Sequence, residues 1–313
     1  MFYNISIIIP FFNASKLIQT SLKNAKDITK KANAEVIYVD NNSNDSSTKI
    51  LKKKIKSEKN ISLFRTLRSE GKGPGVARNL GIIKSKGKYI LFLDVDDKLD
   101  VRKIRLLENF LKFKNSNLIY LNRKLIDNKG SKEKLSPFLK YNKKNISSFF
   151  KKSNNMNVIF VLFKKKFIKE NTLKFNKGIH EDIFFLFRSH FFNKKKISSF
   201  GPKIYLKTNY KGSITHSNLT FSHLNGMYYA WKNIDIFLKK RLSKVNYRKI
   251  FKTIQFRWRG ELANEYQKII KSKLSRTMKR DFLKFIIKKY KKNIQLNYKE
   301  KTKKDKIVRN ILQ

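Results

Sequence analysis

The sequence predicts an α/β fold built on a mostly parallel sheet flanked by helices, with a helical extension at the C-terminal end. Three observations carry this. Four short apolar runs, at residues 5–10, 35–40, 61–67 and 88–93, are rich in Ile, Val, Leu, Tyr and Phe, as strands covered on both faces require. Segments of helical period separate them, giving an alternation of strand and helix that argues parallel pairing through right-handed crossovers. From residue 220 to about 292 the pattern is helical.

Taken in order, residues 5–10 (ISIIIP) form the first strand by their β-branched run, with Pro10 expected to end it. Asn13 is placed to cap a helix whose inward face carries Leu17, Ile18, Ser21, Leu22, Ala25 and Ile28. Residues 35–40 (EVIYVD) make a second strand that ends in Asp40 and breaks into NNSNDSS, a turn rich in side-chain acceptors. A helix from Ser46 runs through Ile50 and Ile55, and residues 61–67 form the third strand. Next comes EGKGPGVARNLGIIKSKG, a glycine-rich loop entering a helix expected to turn Val76, Leu80 and Ile83 inward.

The fourth strand, KYILFLDVDD (88–97), carries the most chemistry. Five apolar residues, Tyr89–Leu93, run straight into Asp94, Asp96 and Asp97. Carboxylates crowded at the end of a core strand repel unless a cation sits among them, and ligands of α/β sheets bind at that end. A divalent metal holding a phosphate group fits; a solvated acidic turn before the next helix is the alternative. That helix spans 101–113, with Ile104, Leu107 and Leu111 in step. Further on, 117–126 reads as a strand, 127–134 as a polar turn, 156–163 as strand-like and 203–210 as a late strand, while 136–152 has no clear pattern beyond a possible short helix. His180-Glu181-Asp182 opens an apolar helix. The final third reads as three helices, ending in a Lys-rich one near 276–292, and then a polar tail expected to fray beyond Asn293.

Composition bounds the function. With no cysteine, the chain has no disulfide, thiolate zinc site or cysteine nucleophile, and four histidines in 313 residues argue against a histidine-rich metal centre. No apolar run reaches the roughly eighteen residues of a membrane span, and the N-terminal stretch lacks the pattern of a signal peptide, so a cytoplasmic location is expected. The net charge of +52, from 74 basic against 22 acidic residues, points to anionic partners. Much of it has a second source: Lys, Asn, Ile and Phe, all abundant here, share A/T-rich codons. A nucleic-acid partner is therefore not favoured.

The glycine-rich loop fits neither common nucleotide pattern. A dinucleotide fingerprint belongs directly after the first strand, where PFFNAS stands instead, and Gly81 and Gly87 are too far apart for a phosphate loop followed by Lys-Ser/Thr. What remains is a backbone that can approach a ligand closely, a helix N-terminus that favours anions, and the charges of Lys72 and Arg78. Asp40 can accept from a pyrimidine N–H or a ribose hydroxyl, or cap the next turn with Ser43 or Asp45. Glu181 and Asp182 sit where acids favour a helix dipole; one of them can instead be a general base with a raised pKa. His216, in a loop, is a possible metal ligand.

These stretches together resemble glycosyltransferase family 2, the inverting enzymes of the GT-A fold, a Rossmann-like sheet. The matching pieces are ISIIIPFFN (5–13), EVIYVDNNSNDSS (35–47), GPGVARNLGI (73–82), GKYILFLDVDD (87–97), VLFKKKFIKENTLKFNKGIHEDIFF (161–185) and YLKTNYKGSITHS (205–217). The resemblance covers residues 4–217 and implies a catalytic domain over 1–217, with 218–313 as a basic helical extension. It implies a nucleotide-diphosphate sugar donor, a UDP-sugar on family grounds, and Mn2+ or Mg2+ as cofactor. Asp40 and Asn42, with the backbone of Pro10, Phe11 and Phe12, would line the nucleoside pocket. Gly75, Arg78 and Asn79 would lie near the donor. Asp94-Val95-Asp96 matches the DxD motif, with Asp94 on ribose or sugar, Asp96 on the metal and Asp97 near the sugar.

By the same resemblance Asp182, beside Glu181, would be the base that takes the proton of an acceptor hydroxyl on a glycan or lipid-linked acceptor, with inversion at C1. Two departures stand out: Asn41-Asn42 replaces the common Asp-Gly, and Leu206-Lys207 stands where Tyr-Arg is frequent. In the last third, YYAWK, FLKKR and FRWR interleave aromatics with cations, a pattern suited to an anionic membrane surface or simply to helices packed with their lysines in water. Two other classes compete with a sugar transferase. A nucleotidyltransferase would need a phosphate loop near the first strand, and a non-catalytic basic protein binding membrane or nucleic acid would not need Asp96 or Asp182.

Overall fold

A computed structural model describes residues 3–70, 73–127, 130–134, 157–208, 219–295 and 302–312. The chain divides into two compact units, Met1–Lys143 with Asn155–Ser217 and Lys144–Asn154 with Asn218–Gln313.

The first unit begins β1 (Ile5–Phe11), α1 (Ser15–Lys31), β2 (Ala34–Asp40), α2 (Ser47–Lys54), β3 (Ile61–Arg65), α3 (Pro74–Lys84) and β4 (Tyr89–Phe92). It continues β5 (Lys98–Leu99), α4 (Ile104–Phe113), β6 (Leu118–Asp127), β7 (Gly130–Lys134), β8 (Val161–Lys164), α5 (Lys165–Glu170), α6 (Glu181–Phe192) and β9 (Ser198–Thr208). Among the described residues the strands form one sheet in the order β3-β2-β1-β4-β8-β6-β9-β5, with β7 beside β6. Strands β3, β2, β1 and β4 are parallel. The strand β8 runs against both β4 and β6, and β9 is parallel to β6. The carboxyl ends of β1, β2, β4 and β9 therefore share one edge of the sheet. Between β1 and β4 the strand order reverses, which opens a crevice at that edge.

Several elements differ from the sequence-based expectation. Pro10 lies inside β1, opposite Val39, because pairing with β4 stops at Ile8 and a missing N–H beyond that point leaves no ladder bond unmade. Asn13 does not cap α1. It holds a left-handed φ of 48°, and the donors there are met by the neighbouring loop: Asn13 N–H by Ser43 Oγ, Ala14 N–H by Ser47 Oγ and Ser15 N–H by Asp45, each at 2.9 Å. Val76 is buried as expected, but Leu80 is only half-buried and Ile83 is 70% exposed; Ala77, Gly81 and Ile82 complete the inner face of α3, with Gly81 against Ile8. The polar stretch 127–134 contains a strand, since Gly130–Lys134 pairs back along β6, main-chain bonding deciding what side-chain pattern did not. Likewise β5 is only two residues long and carries no apolar period, yet it pairs with β9.

Beneath the crevice lies an aromatic core. Phe175 stacks on Phe185 at 3.9 Å, and Phe92 and Phe163 meet them edge-on. This cluster fixes α6 against β4.

The second unit contains α7 (Phe221–Arg241), α8 (Lys244–Lys271), α9 (Arg276–Lys291) and α10 (Lys303–Leu312). Thr220, Ser243 and Ser275 cap the first three, each accepting from a backbone N–H three residues on. Tyr228, Trp258 and Tyr290 pack together with ring centroids 5.4–5.5 Å apart. The polar tail does not simply fray. Residues 303–312 form a helix that buries Val308 and Leu312, and its Asp305 accepts from Arg259 at 2.7 Å. A buried ion pair with a residue 46 positions away leaves no periodic signal in the tail itself. None of the helices among the described residues is long and apolar enough to cross a membrane.

Candidate active site

The edge where β1, β2, β4 and β9 end gathers the polar residues singled out in the sequence into two adjoining groups. The first lies after β1 and β2. Asp40 is fully buried, and its carboxylate accepts from Ser43 N–H and Thr48 Oγ1, both at 2.8 Å, with Arg65 Nε at 3.3 Å. This is the capping arrangement that the sequence left open, and it engages the carboxylate within its own loop. Asn42 sits next to it at φ 65°, a left-handed conformation that Asn tolerates better than most residues, and donates to Thr66 Oγ1 at 2.9 Å. Asn41 donates to the Gly73 carbonyl at 3.2 Å, tying this loop to the start of α3. Pro10 and Phe11 are buried, with Phe11 against Tyr38 at 6.3 Å, whereas Phe12 is 56% exposed at the edge.

The second group is built on α3, β4, α6 and β9. Gly73 has φ 117° and lies against the backbone of Gly178, itself at φ 98°; a side chain on Gly73 would meet the Gly178 carbonyl. A Cβ on Gly75 would fall 2.5 Å from Glu181 Cγ and 2.6 Å from the Asn176 carbonyl. Asn79 clasps the chain before α6 through both ends of its amide, donating to Phe175 C=O and accepting from Phe175 N–H, each at 2.9 Å. With these contacts the start of α6 is pressed onto α3, and Arg78 can reach it. The buried Arg78 guanidinium lies near the rings of Phe92 and Phe175. It donates through Nη1 to Glu181 Oε1 and through Nη2 to Asp94 Oδ1 at 3.2 Å.

Asp182 is half-buried next to Glu181 at the start of α6. Burial raises the carboxyls of both Glu181 and Asp182, while Arg78 opposes the shift. His180, just before them, adopts φ 62°, a strained conformation for a non-glycine residue.

The acidic turn after β4 faces β9. Asp97 is buried and accepts from Tyr205 Oη at 2.7 Å, Lys207 Nζ at 3.0 Å and Thr208 N–H at 2.8 Å. Lys207 Nζ also lies 3.6 Å from Asp94 Oδ2. Val95 and Asp96 are half-buried in the turn between them. Burial raises the carboxyls of Asp96 and Asp97, and Lys207 pulls both down. Ligand atoms of Asp94, Asp96 and Asp97 lie within 4.8 Å of one another. The donor set suits a hard divalent cation with a phosphate partner, as two or three carboxylates with room for other oxygens are what Mn2+ or Mg2+ takes. Since Asp97 already has three donors, Asp94 and Asp96 are the fitting ligands. His216 lies outside the described residues.

Tyr205 and the Thr208 N–H were not legible as site groups. Only the alternation in YLKT, which puts Tyr205 and Lys207 on one face of a strand, hints at them.

The crevice at the switch point thus brings together an acidic turn and a second acidic pair, joined by a buried arginine. The family model Glycosyl transferase family 2 matches residues 6–194, and the chain belongs to that family. A poly(ribitol-phosphate) beta-glucosyltransferase of Bacillus spizizenii is 32% identical over 180 residues, 55% of this chain and 26% of that protein; the chain thus matches about a quarter of that relative's length. Among solved structures, Staphylococcus aureus TarS 1–349 in complex with UDP-GlcNAc superposes with a TM-score of 0.65 at 18% identity, covering 94% of this chain and 84% of the other. A Pyrobaculum calidifontis mannosyltransferase with GDP-Man and Mn2+ gives 0.54 at 11% identity, covering 90% of this chain and 79% of the other. The fold is therefore GT-A.

Proposed function

We propose that the chain transfers a sugar from a UDP-sugar to a hydroxyl of a phosphate-bearing polyol or glycan polymer, inverting the configuration at C1. One observation carries the catalytic part. Arg78 joins Glu181 to Asp94, fixing the acidic start of α6 relative to the acidic turn after β4. Support for the donor comes from the TarS complex with UDP-GlcNAc. The acceptor reading rests on the poly(ribitol-phosphate) relative and on a net charge of +52, which complements a polyanion.

In this reading residues 1–217 are the catalytic domain. Phe12 and Asn42 line the nucleoside pocket, and Asp40 holds the loop that presents Asn41 and Asn42. The carboxylates of Asp94 and Asp96 would hold Mn2+ or Mg2+, which would supply charge stabilisation to the departing diphosphate. Glu181 stays paired with Arg78, leaving Asp182 as the base. The acceptor oxygen attacks C1 from the face opposite the nucleotide. The C1–O bond to the diphosphate breaks as the new bond forms, and the acceptor proton passes to Asp182. No covalent intermediate is required.

The first experiment is thermal unfolding with UDP, GDP, CMP and dTDP, with and without Mn2+. A ligand at one hundred times its Kd adds about 2.7 kcal/mol to folding stability. The expected result is a metal-dependent shift with UDP; no shift with any nucleotide would overturn the donor reading. Product anomers read by NMR then test inversion.

Docking on an anionic membrane surface is a second reading for residues 218–313. Exposed Tyr229, Ile236, Val245 and Phe256 stand among lysines on α7 and α8, a composition that suits the lipid interface. Equal sedimentation with neutral and anionic vesicles at moderate salt would reject it.

A further inference from the structure

Lys207 occupies a position that neither acid beside it depends on. Asp97 keeps Tyr205 Oη and the Thr208 N–H as fixed partners, and Asp94 keeps Arg78. Both share Lys207, the third partner of Asp97 at 3.0 Å and the second of Asp94 at 3.6 Å. The fixed partners are a buried ring hydroxyl, a strand N–H and a buried guanidinium. By contrast, the Lys207 side chain is 25% exposed and ends a flexible stem whose ammonium can rotate away. Its departure strands neither carboxylate.

We infer that Lys207 is an internal counter-ion that makes divalent-metal binding conditional on the diphosphate: it stands in for the metal at Asp94 in the free protein and moves to the diphosphate when the nucleotide arrives. The inference rests on the proposed reading of the cluster as a metal and diphosphate site. Electrostatics gives its direction. A divalent ion on Asp94 and Asp96 sits close to an ammonium that shares Asp94, and the two cations repel. With no anion to receive it, Lys207 stays and weakens the metal. A diphosphate offers the ammonium new acceptors, removes that repulsion and ligates the metal itself. Metal and nucleotide then strengthen each other's binding by one common factor, and Lys207 carries a share of it.

The test is calorimetric titration of the full chain with Mg2+, without and with saturating UDP, at about pH 8.5, above the usual range of carboxyl titration. Wild type is compared with Lys207→Met, Lys207→Gln and Lys207→Arg. Lys207→Gln keeps a donor toward Asp97 and guards against a Met variant that fails to fold, which circular dichroism reads directly. Removing the charge is expected to tighten Mg2+ binding without nucleotide by about tenfold, equivalent to roughly 1.4 kcal/mol, and to reduce the enhancement by UDP. Lys207→Arg is expected to keep the wild-type pattern. An unchanged or weaker Mg2+ affinity in the folded neutral variants, with UDP enhancement intact, would overturn the inference and leave the transferase reading standing. Wild-type protein that binds neither Mg2+ nor UDP, alone or together, would overturn the transferase reading and this inference with it.

Discussion

Arg78 and Glu181, 103 residues apart in sequence, form a buried ion pair at the junction of α3 and α6. The same guanidinium reaches Asp94 at 3.2 Å, so one side chain ties the start of α6 to the acidic turn after β4. Removing Arg78 leaves Glu181 buried without its cation. Arg78→Met is expected to cost about 3–5 kcal/mol of stability, measured by urea unfolding. In Arg78→Met/Glu181→Gln the stranded charge is gone, so most of that stability should return while turnover stays low. Full recovery of turnover in the double variant would show that the pair serves stability alone.

Asp182 is expected to be the base. Asp182→Asn should lower kcat by about 10²–10⁴ and leave UDP affinity, read by calorimetry, within a factor of two or three of wild type. A comparable loss in both would place Asp182 in donor binding instead.

The pH profile follows from the raised carboxyl of Asp182, which burial lifts and Arg78 lowers. A base must be unprotonated, so kcat/KM should fall as pH drops through the raised value. Replacing Arg78 removes the opposing cation, so in Arg78→Met the acid limb should move to higher pH. A limb that stays in place would separate Asp182 from the titration.

Stability should show the opposite slope. Burial lifts Glu181 from 4.5 to about 7 and Asp97 from 3.8 to about 7. Between the ordinary and raised values the folded chain binds more protons than the unfolded one, so the contribution of these groups falls as pH rises across that window. Asp100, lowered to about 2 by its hydrogen bond from Arg102, acts in reverse and only at lower pH. Metal-free protein should therefore melt at a higher temperature near pH 5 than near pH 7.5, and Glu181→Gln should flatten that slope.

Gly75 packs where no side chain fits. In Gly75→Ala the new methyl group would press on the Asn176 carbonyl and Glu181 Cγ. A loss of about 1–3 kcal/mol with reduced turnover is expected, read by thermal unfolding and initial rates. A variant of wild-type stability and activity would mean that α6 can shift freely from α3.

Part of this molecule is written in local sequence. The apolar runs of β1, β2 and β4 are buried along their whole length, and the alternation with α1, α2 and α3 follows from period alone. The aspartates after Leu93 point to a cation at that edge, because crowded carboxylates need one or a solvated turn, and the structure places Arg78 and Lys207 there. Local pattern misplaced Asn13, whose helix is capped from the 43–47 loop, and Ile83, whose neighbour Ile82 points inward instead. It also misread 130–134, where pairing to β6 decides the outcome, and 303–312, a helix that buries Val308 and Leu312 and pairs Asp305 with Arg259. Tertiary structure alone decided that Arg78 meets Glu181, that Asp97 is latched by Tyr205 and Thr208, and that Lys207 lies between Asp94 and Asp97. Each of these joins residues about a hundred positions apart through the shared carboxyl edge of β4 and β9 and the packing of α3 on α6. Hydrophobic period encodes which face of an element is buried, but not which distant polar group it will meet there.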